Sequence, residues 1–344
     1  MRIAVLGGGN AAYAAAADLA LAGHEVRLWR RAEAELAAVR QAGGITLIAG
    51  ERRDKAALAA VAGLGEAVAG TDVVVVAMPA IAHEDIARRL APHLGERQVV
   101  LVTPGTLGAL VMAREISRAG GRLPYAFVEP GTPPYRAHKT GPAEVRVAAR
   151  ASMLPIGIFP GSRAAALAPG SELFPATLRC VDVLDAALTD GAAVIHPPLV
   201  LVNLGAIDQG RDIDATTSAR RLTDALDAER VAARAGWGYP ARGYEVVTGA
   251  EEARSEGPVS LSHRYVTEDV ALGLSLLESA ARTVGAQTAA SSGFLLVFGA
   301  LLGRPLFGRG RALEHLGLGD LAVREIRELF QEGWSSPLWR RIVR

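Results

Sequence analysis

Three stretches in the second half of the chain concentrate side chains that can move protons or hold a carboxylate. The first, Val194-Ile195-His196-Pro197-Pro198-Leu199-Val200-Leu201-Val202-Asn203, sets a histidine ahead of two prolines that fix the local backbone. A histidine titrates near neutrality, so a carboxylate at one ring nitrogen leaves the other free to deliver a proton. The second, His263-Arg264-Tyr265-Val266-Thr267-Glu268-Asp269-Val270, opens a helix whose first turn is acidic. Its Arg264 offers a planar fork that matches the two oxygens of a substrate carboxylate; an ion pair with Glu268 would use the same charge structurally. The third, Leu313-Glu314-His315-Leu316-Gly317-Leu318-Gly319-Asp320-Leu321, precedes the last amphipathic helix. Residue types alone leave two readings of the first pair open. His196 is either a proton donor or a core histidine capping a turn, and Asp269 is either its partner or a charge favoured by a helix dipole.

Lys55 and Lys139 are the only lysines, every other basic side chain being arginine, and neither lies in the second half, which excludes most lysine-based mechanisms there. The single cysteine, Cys180, cannot form an intramolecular disulfide, and no Cys/His cluster has zinc-ligand spacing, so no metal is expected and a reduced, cytoplasmic setting fits.

A second kind of chemistry is written at the N-terminus. Ile3-Ala4-Val5-Leu6-Gly7-Gly8-Gly9-Asn10-Ala11-Ala12 places a G-x-G-x-x-A pattern between an apolar strand and a helix. Gly7 permits the tight turn, Gly9 lets backbone amides approach a pyrophosphate, and Ala12 allows the helix to pack close to the sheet. Asn10 and Ala11 open that helix, whose N-terminus favours phosphate. After the second strand comes Leu28-Trp29-Arg30-Arg31, with two guanidiniums where an NAD-specific carboxylate would stand. Arg30 and Arg31 therefore favour NADP(H) over NAD(H), unless Arg30 stacks on adenine or is a solvated charge. Ala77-Met78-Pro79 and Thr103-Pro104-Gly105 end later strands and mark loops on the nicotinamide side.

The elements that must position these residues follow a βαβ rhythm. Residues 3–6, 25–29, 73–78, 99–103, 125–129 and 145–148 read as strands, most of them apolar on both faces as in a buried parallel sheet. Helical patterns over 11–22, 32–41, 81–94 and 107–119 lie between them. From about residue 190 helices dominate, including 218–235, 267–284 and 322–332. A chain of 344 residues suits two domains. The expected division is a Rossmann dinucleotide-binding domain over 1–188, an α/β doubly wound fold, and a mainly α-helical substrate domain over 189–344.

Thirty-seven Lys and Arg against 36 Asp and Glu leave a net charge of +1, which gives no support to nucleic-acid binding. No apolar run approaches a membrane span, and Gly7-Gly8-Gly9-Asn10 breaks what could otherwise pass for a signal peptide. The apolar stretch 294–302 is either core or the interface of a homodimer. His24, His83, His93 and His138 are expected at the surface, and Trp237 and Tyr239 as either core or substrate wall.

Together these segments resemble the opine dehydrogenase family, the octopine and nopaline dehydrogenase-like enzymes. The resemblance covers nearly the whole chain: the glycine turn, residues 129–136 with Pro134-Tyr135-Arg136, the His-Pro-Pro and Asn203 stretch, Asp227-Ala228-Glu229-Arg230, the Arg-Tyr-x-x-Glu-Asp-Val of 264–270, and the Leu-Gly-Leu near the C-terminus. Ala192-Ala193 stands where the family often has Asn-Pro, and Ala271 where it often has Pro. The resemblance implies a catalytic pair at His196 and Asp269, adds Glu129 to the cofactor-binding positions, and leaves Tyr135, Arg136, Asn203 and Gln209 beside Arg264 as substrate-binding candidates. It implies reductive condensation of a small-molecule 2-oxo acid or other carbonyl with an amine or amino acid to a secondary amine, using NADPH. The alternatives are a 2-hydroxy-acid or sugar-phosphate dehydrogenase of the related two-domain group, which would use a catalytic lysine, and an NADP(H) sensor without turnover.

Overall fold

Val73–Ala77, Val99–Thr103 and Ala126–Pro130 are buried at every position, as strands covered on both faces must be. They belong to a computed structural model that describes residues 1–174, 176–244 and 260–344. The chain divides into two compact units, residues 1–183 with 330–344, and residues 184–329.

The first unit holds the strands β1 (Arg2–Leu6), β2 (Glu25–Trp29), β3 (Gly44–Ala49), β4 (Arg52–Ala57), β5 (Ala59–Ala60), β6 (Val73–Ala77), β7 (Val99–Thr103), β8 (Ala126–Pro130), β9 (Tyr135–Gly141), β10 (Glu144–Arg150), β11 (Leu154–Phe159) and β12 (Thr177–Arg179). Eight of them form one sheet in the order β12-β11-β8-β7-β6-β1-β2-β5, parallel except where β11 meets β8. This is the expected doubly wound sheet. A second sheet, β4-β3-β10-β9, was not foreseen, and the strand expected at 145–148 belongs to it. The edge strand β4, with Arg52-Arg53-Asp54-Lys55 largely exposed, lacks the apolar alternation by which periodicity finds a strand.

The helices of this unit are α1 (Asn10–Leu21), α2 (Ala37–Ala42), α3 (Leu64–Val68), α4 (His83–Leu90), α5 (Gly108–Arg118) and α6 (Leu167–Leu173), with a short last helix over Trp339–Val343. The pattern at 32–41 splits into a 3₁₀ turn, Glu33–Leu36, and α2. Helix α1 packs on β1, β2 and β6 of the large sheet and on all four strands of the small one. A helix covered on both sides must be apolar all round and slim, and the run Ala14-Ala15-Ala16-Ala17 is buried throughout.

The second unit is helical: α7 (Val183–Ala187), α8 (Ala192–Val202), α9 (Leu204–Asp208), α10 (Thr217–Gly236), a ten-residue π-helix (Tyr265–Leu274), α11 (Ser275–Thr283), α12 (Ala289–Leu301) and most of α13 (Val323–Glu332). Buried arginines staple it. Arg234 donates to the Asp185 carbonyl, to Asp185 Oδ1 at 2.6 Å and to the Pro240 carbonyl; Arg230 reaches Asp227 and the Leu188 and Arg242 carbonyls. Glu229 accepts from the amides of Ala290 and Ser291 and caps α12. The Asp227-Ala228-Glu229-Arg230 segment is thus a structural clamp. Trp237 and Tyr239 are core, stacked at 6.3 Å, with the Trp237 indole donating to the Ala280 carbonyl. On α12, Phe294, Leu295 and Phe298 are core while Leu296, Val297 and Leu301 face outward.

Two expectations change. Residues 330–344, placed by sequence with the helical half, fold with the first unit, where Trp334 sits edge-on to Phe127 and Phe159 and Trp339 packs on Phe159. His83, expected at the surface, is fully buried. His93 and His138 are exposed and His24 is half-buried. Among the described residues no helix is long and apolar enough to cross a membrane.

Replacing Arg234 with methionine takes the guanidinium away from the buried Asp185 carboxylate. Breaking a buried pair from one side costs about 3–5 kcal/mol. Calorimetry should show the transition of the helical unit falling by that amount, and a loss under 1 kcal/mol would mean the pair is not what holds α7 to α10.

Candidate active site

Proline at two successive positions inside α8 deletes two helical amides, yet the helix continues because its apolar face is packed. His196 lies just before these prolines. The π-helix lies against α8, and a Cβ on Gly273 would come within 3.0 Å of the Ala193 Cβ, so glycine keeps the two elements close. A π-helix turns more slowly per residue than an α-helix and is a rare feature concentrated at functional sites. Here it aims Asp269 at α8. His196 Nδ1 and Asp269 Oδ2 stand 2.6 Å apart.

A carboxylate only accepts, so Nδ1 carries the hydrogen and Nε2 is the nitrogen left to exchange a proton. The ring is also clamped flat. His196 stacks on Tyr265 at 3.6 Å and 15°, and His263 meets Tyr265 edge-on at 4.5 Å. Burial, then the charges of Arg264 and His196, hold the His263 imidazole below its ordinary pKa, so it stays neutral beside them.

Arg264 opens the π-helix. Its guanidinium is exposed and makes no ion pair within reach among the described residues. Partial desolvation works against its charge, but Asp269, Glu268 and Asp190 outweigh that and raise its pKa. The ion pair with Glu268 weighed from sequence is not formed, and the fork is available to a ligand.

Sequence reasoning missed Asp190. It precedes α8, and its Oδ1 accepts from the Ala192 amide at 2.9 Å. Burial, followed by the nearby Asp269 charge, pushes its carboxyl up to about 6, against the pull of the Ala192 amide, His196 and Arg264. The available signal was the Asp-Gly pair just ahead of a helix, a capping pattern.

Asn203 and Gln209 do not join this cluster. Asn203 spends its amide on the Leu199 and Asp214 carbonyls and the Asp214 amide, bracing the turn between α8 and α10. Gln209 ends α9, exposed. Tyr135 and Arg136 lie on β9 in the other unit; the Tyr135 hydroxyl donates to Asp18 Oδ2 at 3.0 Å, and burial and Asp18 raise its pKa well above normal.

In the first unit the glycine turn has the shape a pyrophosphate needs. Gly7 adopts φ +146°, and a Cβ there would lie 2.2 Å from the Ala77 carbonyl. A Cβ on Gly9 would meet nothing within 4 Å, and no side chain caps α1, so the amides of Asn10, Ala11 and Ala12 open onto free space. Met78 is half-buried and Pro79 exposed after β6. Gly105 and Pro104 follow β7, and a Cβ on Gly105 would lie 2.2 Å from Glu129 Cγ. Glu129 itself is wholly buried and accepts from the Leu107 and Ala109 amides at 2.7 and 2.8 Å. Its role there is to shape the loop from beneath. Arg30 forms an ion pair with Glu35, Nη1 to Oε2 2.6 Å, off-axis for a hydrogen bond, and its buried Nε has no acceptor. Arg31 pairs with Asp85 in solvent. Lys139, also missed, brings its Nζ to 3.2 Å from the Gly8 carbonyl.

The profile of the family described as NAD/NADP octopine/nopaline dehydrogenase, alpha-helical domain, matches residues 179–302, and that of ketopantoate reductase PanE/ApbA matches residues 3–161. An opine dehydrogenase of Arthrobacter sp. (strain 1C) is 29% identical over 94% of this chain and 97% of its own. The chain thus carries the octopine/nopaline dehydrogenase helical domain and is similar to an opine dehydrogenase along nearly its whole length. The fold agrees with that of an octopine dehydrogenase solved with NADH and agmatine, TM-score 0.74, 18% identity, covering 95% of this chain and 97% of that one. It also agrees with NADP+-bound yersinopine dehydrogenase, TM-score 0.67, 14% identity, covering 97% and 98%.

A carboxyl whose folded-state value lies above the usual 3.8 binds its proton more tightly folded than unfolded. Asp190 should therefore add stability at low pH that is lost as pH rises from about 4 to about 6. Asp190→Asn keeps the acceptor for Ala192 and removes the charge. Its melting temperature should exceed wild type at pH 7.5, with the gap closing by pH 4; a gap that persists at pH 4 would contradict the assignment.

Proposed function

We propose that this protein joins a 2-oxo acid, or a similar small carbonyl compound, to an amine or amino acid and reduces the resulting C=N bond to a secondary amine, with NADPH preferred to NADH. The observation that carries the reading is the 2.6 Å contact of His196 with Asp269 beside an unpaired Arg264.

Condensation eliminates water from the carbonyl and the amine, and reduction then adds a hydride to carbon and a proton to nitrogen. Each proton movement needs a side chain that can both give and take a proton at the reacting atoms. His196 offers Nε2 for this, its Nδ1 being held by Asp269. Asp269 keeps Nδ1 protonated and stabilises the imidazolium, and Tyr265 fixes the ring plane. Arg264 pairs with the oxo acid's carboxylate by its fork, which orients the adjacent carbonyl. Asp190, Glu268 and Asp269 outnumber the cations around Arg264, a field that draws in a positively charged amine.

A nicotinamide dinucleotide, when bound, supplies the hydride. Gly7, Gly9 and the amides of Asn10, Ala11 and Ala12 would hold its pyrophosphate, and Ala77, Met78, Pro79, Pro104 and Gly105 would line its nicotinamide side. Support for NADP(H) comes from the two guanidiniums after β2; the NADH-bound and NADP+-bound proteins among the structural relatives support a nicotinamide dinucleotide of either kind. A cytoplasmic enzyme acting without metal, nucleic acid or membrane fits this chemistry, and a homodimer is the proposed assembly.

Purified protein mixed with NADPH, pyruvate or glyoxylate and a panel of amines should consume NADPH only when carbonyl and amine are both present. Consumption with carbonyl alone would replace the proposal with hydroxy-acid dehydrogenation, and binding without turnover would replace it with a sensor. His196→Ala should slow reduction by a factor of about 10²–10⁴, and an unchanged rate removes His196 from the chemistry. Arg30→Asp should move the kcat/KM ratio towards NADH; an unmoved ratio would place the 2′-phosphate elsewhere.

A further inference from the structure

The glycine turn receives a cation from outside the βαβ unit. Lys139 stands on β9, in the small sheet that packs against α1. Its backbone amide donates to Asn10 Oδ1 at 3.0 Å, its Nζ donates to the Gly8 carbonyl at 3.2 Å, and the same Nζ rests 3.9 Å from the centroid of the Tyr13 ring. Three contacts with one turn and one helix place this side chain in a defined position. Arg30 covers the same residue, since a Cβ on Gly8 would lie 2.5 Å from its Cζ. Two cations from strands far apart in sequence therefore converge on Gly8.

Their charges are only half answered. Glu35 pairs with Arg30, and no carboxylate lies within ion-pair distance of Lys139 among the described residues. Burial and then the Arg30 charge lower the lysine's pKa, against the pull of Glu35. Two cations and one carboxylate leave a net positive charge at the end of β2, beside the position where a dinucleotide's adenosine ribose is read. The pyrophosphate needs neither cation, because the open amides of α1 already suit it. A phosphate monoester carries nearly two negative charges at neutral pH, enough for both.

We propose that Lys139 and Arg30 together form the seat of the 2′-phosphate of NADP(H), with Glu35 the built-in counter-ion that the phosphate displaces from Arg30. The proposal rests on the NADP(H) preference given above and assigns half of that preference to Lys139, a specificity-determining residue supplied by the small sheet. Tyr13 holds the ammonium itself against its ring face, so the charge waits at the turn before ligand arrives.

Calorimetric titration of the full chain with NADPH, NADH and 2′,5′-ADP tests this in wild type, Lys139→Met, Lys139→Arg, Glu35→Gln and Arg30→Ala. Methionine keeps an unbranched side chain of similar length and removes the charge. Loss of one charge-assisted contact should weaken NADPH and 2′,5′-ADP by about 10–100-fold while NADH stays within about twofold, which also reports an intact turn. Lys139→Arg should recover most of the loss, and Glu35→Gln should tighten NADPH. Equal weakening of NADPH and NADH by Lys139→Met would move the lysine to the pyrophosphate and overturn the proposal, as would no weakening. If Arg30→Ala alone abolishes an NADPH preference that survives Lys139→Met, the preference stands and the role of Lys139 falls. A wild-type chain that favours NADH and ignores 2′,5′-ADP would overturn both.

Discussion

Burial of α1 between two sheets is the constraint on which the nucleotide unit depends. A helix in that position can spare neither bulk nor charge, which is why its middle is a run of alanines. The close packing fixes where α1 begins, and with it the turn of Gly7 to Gly9 and the set of amides left open at its start. It also ties the small sheet to the large one through a single element, so that Tyr13 and Asn10 of the helix meet Lys139 of the sheet. The phosphate seat proposed above would thereby draw on residues from both sheets.

The helical unit solves its positioning problem differently. There, buried guanidiniums reach carbonyl groups at the ends of neighbouring elements, and a carboxylate caps α12 from α10. These bonds are costly to leave unmade, so the elements cannot drift independently. On that frame the π-helix and the proline-interrupted α8 are held in conformations that neither would choose alone. Local irregularity at the His196 and Asp269 pair is sustained by regular packing elsewhere.

Much of this was legible in the residues. β2 and β7 were read to the residue, because buried parallel strands announce themselves as continuous apolar runs. The His196 and Asp269 contact could not be read from spacing; it needed a family resemblance to single it out, and the fold to bring it within 2.6 Å. The small sheet was not recognised as separate, although its strand at 145–148 was read, because its solvated edge strands are polar. Lys139 and Asp190 were missed for a related reason: each acts through position, and a lone lysine on an unrecognised strand or an aspartate before a helix has no pattern of its own. Tyr135 and Asn203, by contrast, had suggestive chemistry that the structure spends on holding α1 and the turn after α8.

The return of residues 330–344 to the first unit sets an order of assembly during synthesis. Chains of this kind usually complete their N-terminal domain first as they emerge from the ribosome. Here the nucleotide unit lacks Trp334, Trp339 and the backbone bonds from Gly161 and Ser162 to residues 330 and 331 until the whole helical unit has been made. The helical unit is the part whose residues are contiguous, so it can finish while its neighbour is still open along β8 and β11. Nascent chains of this protein therefore keep Phe127 and Phe159 without these indole partners until Trp334 and Trp339 have been made.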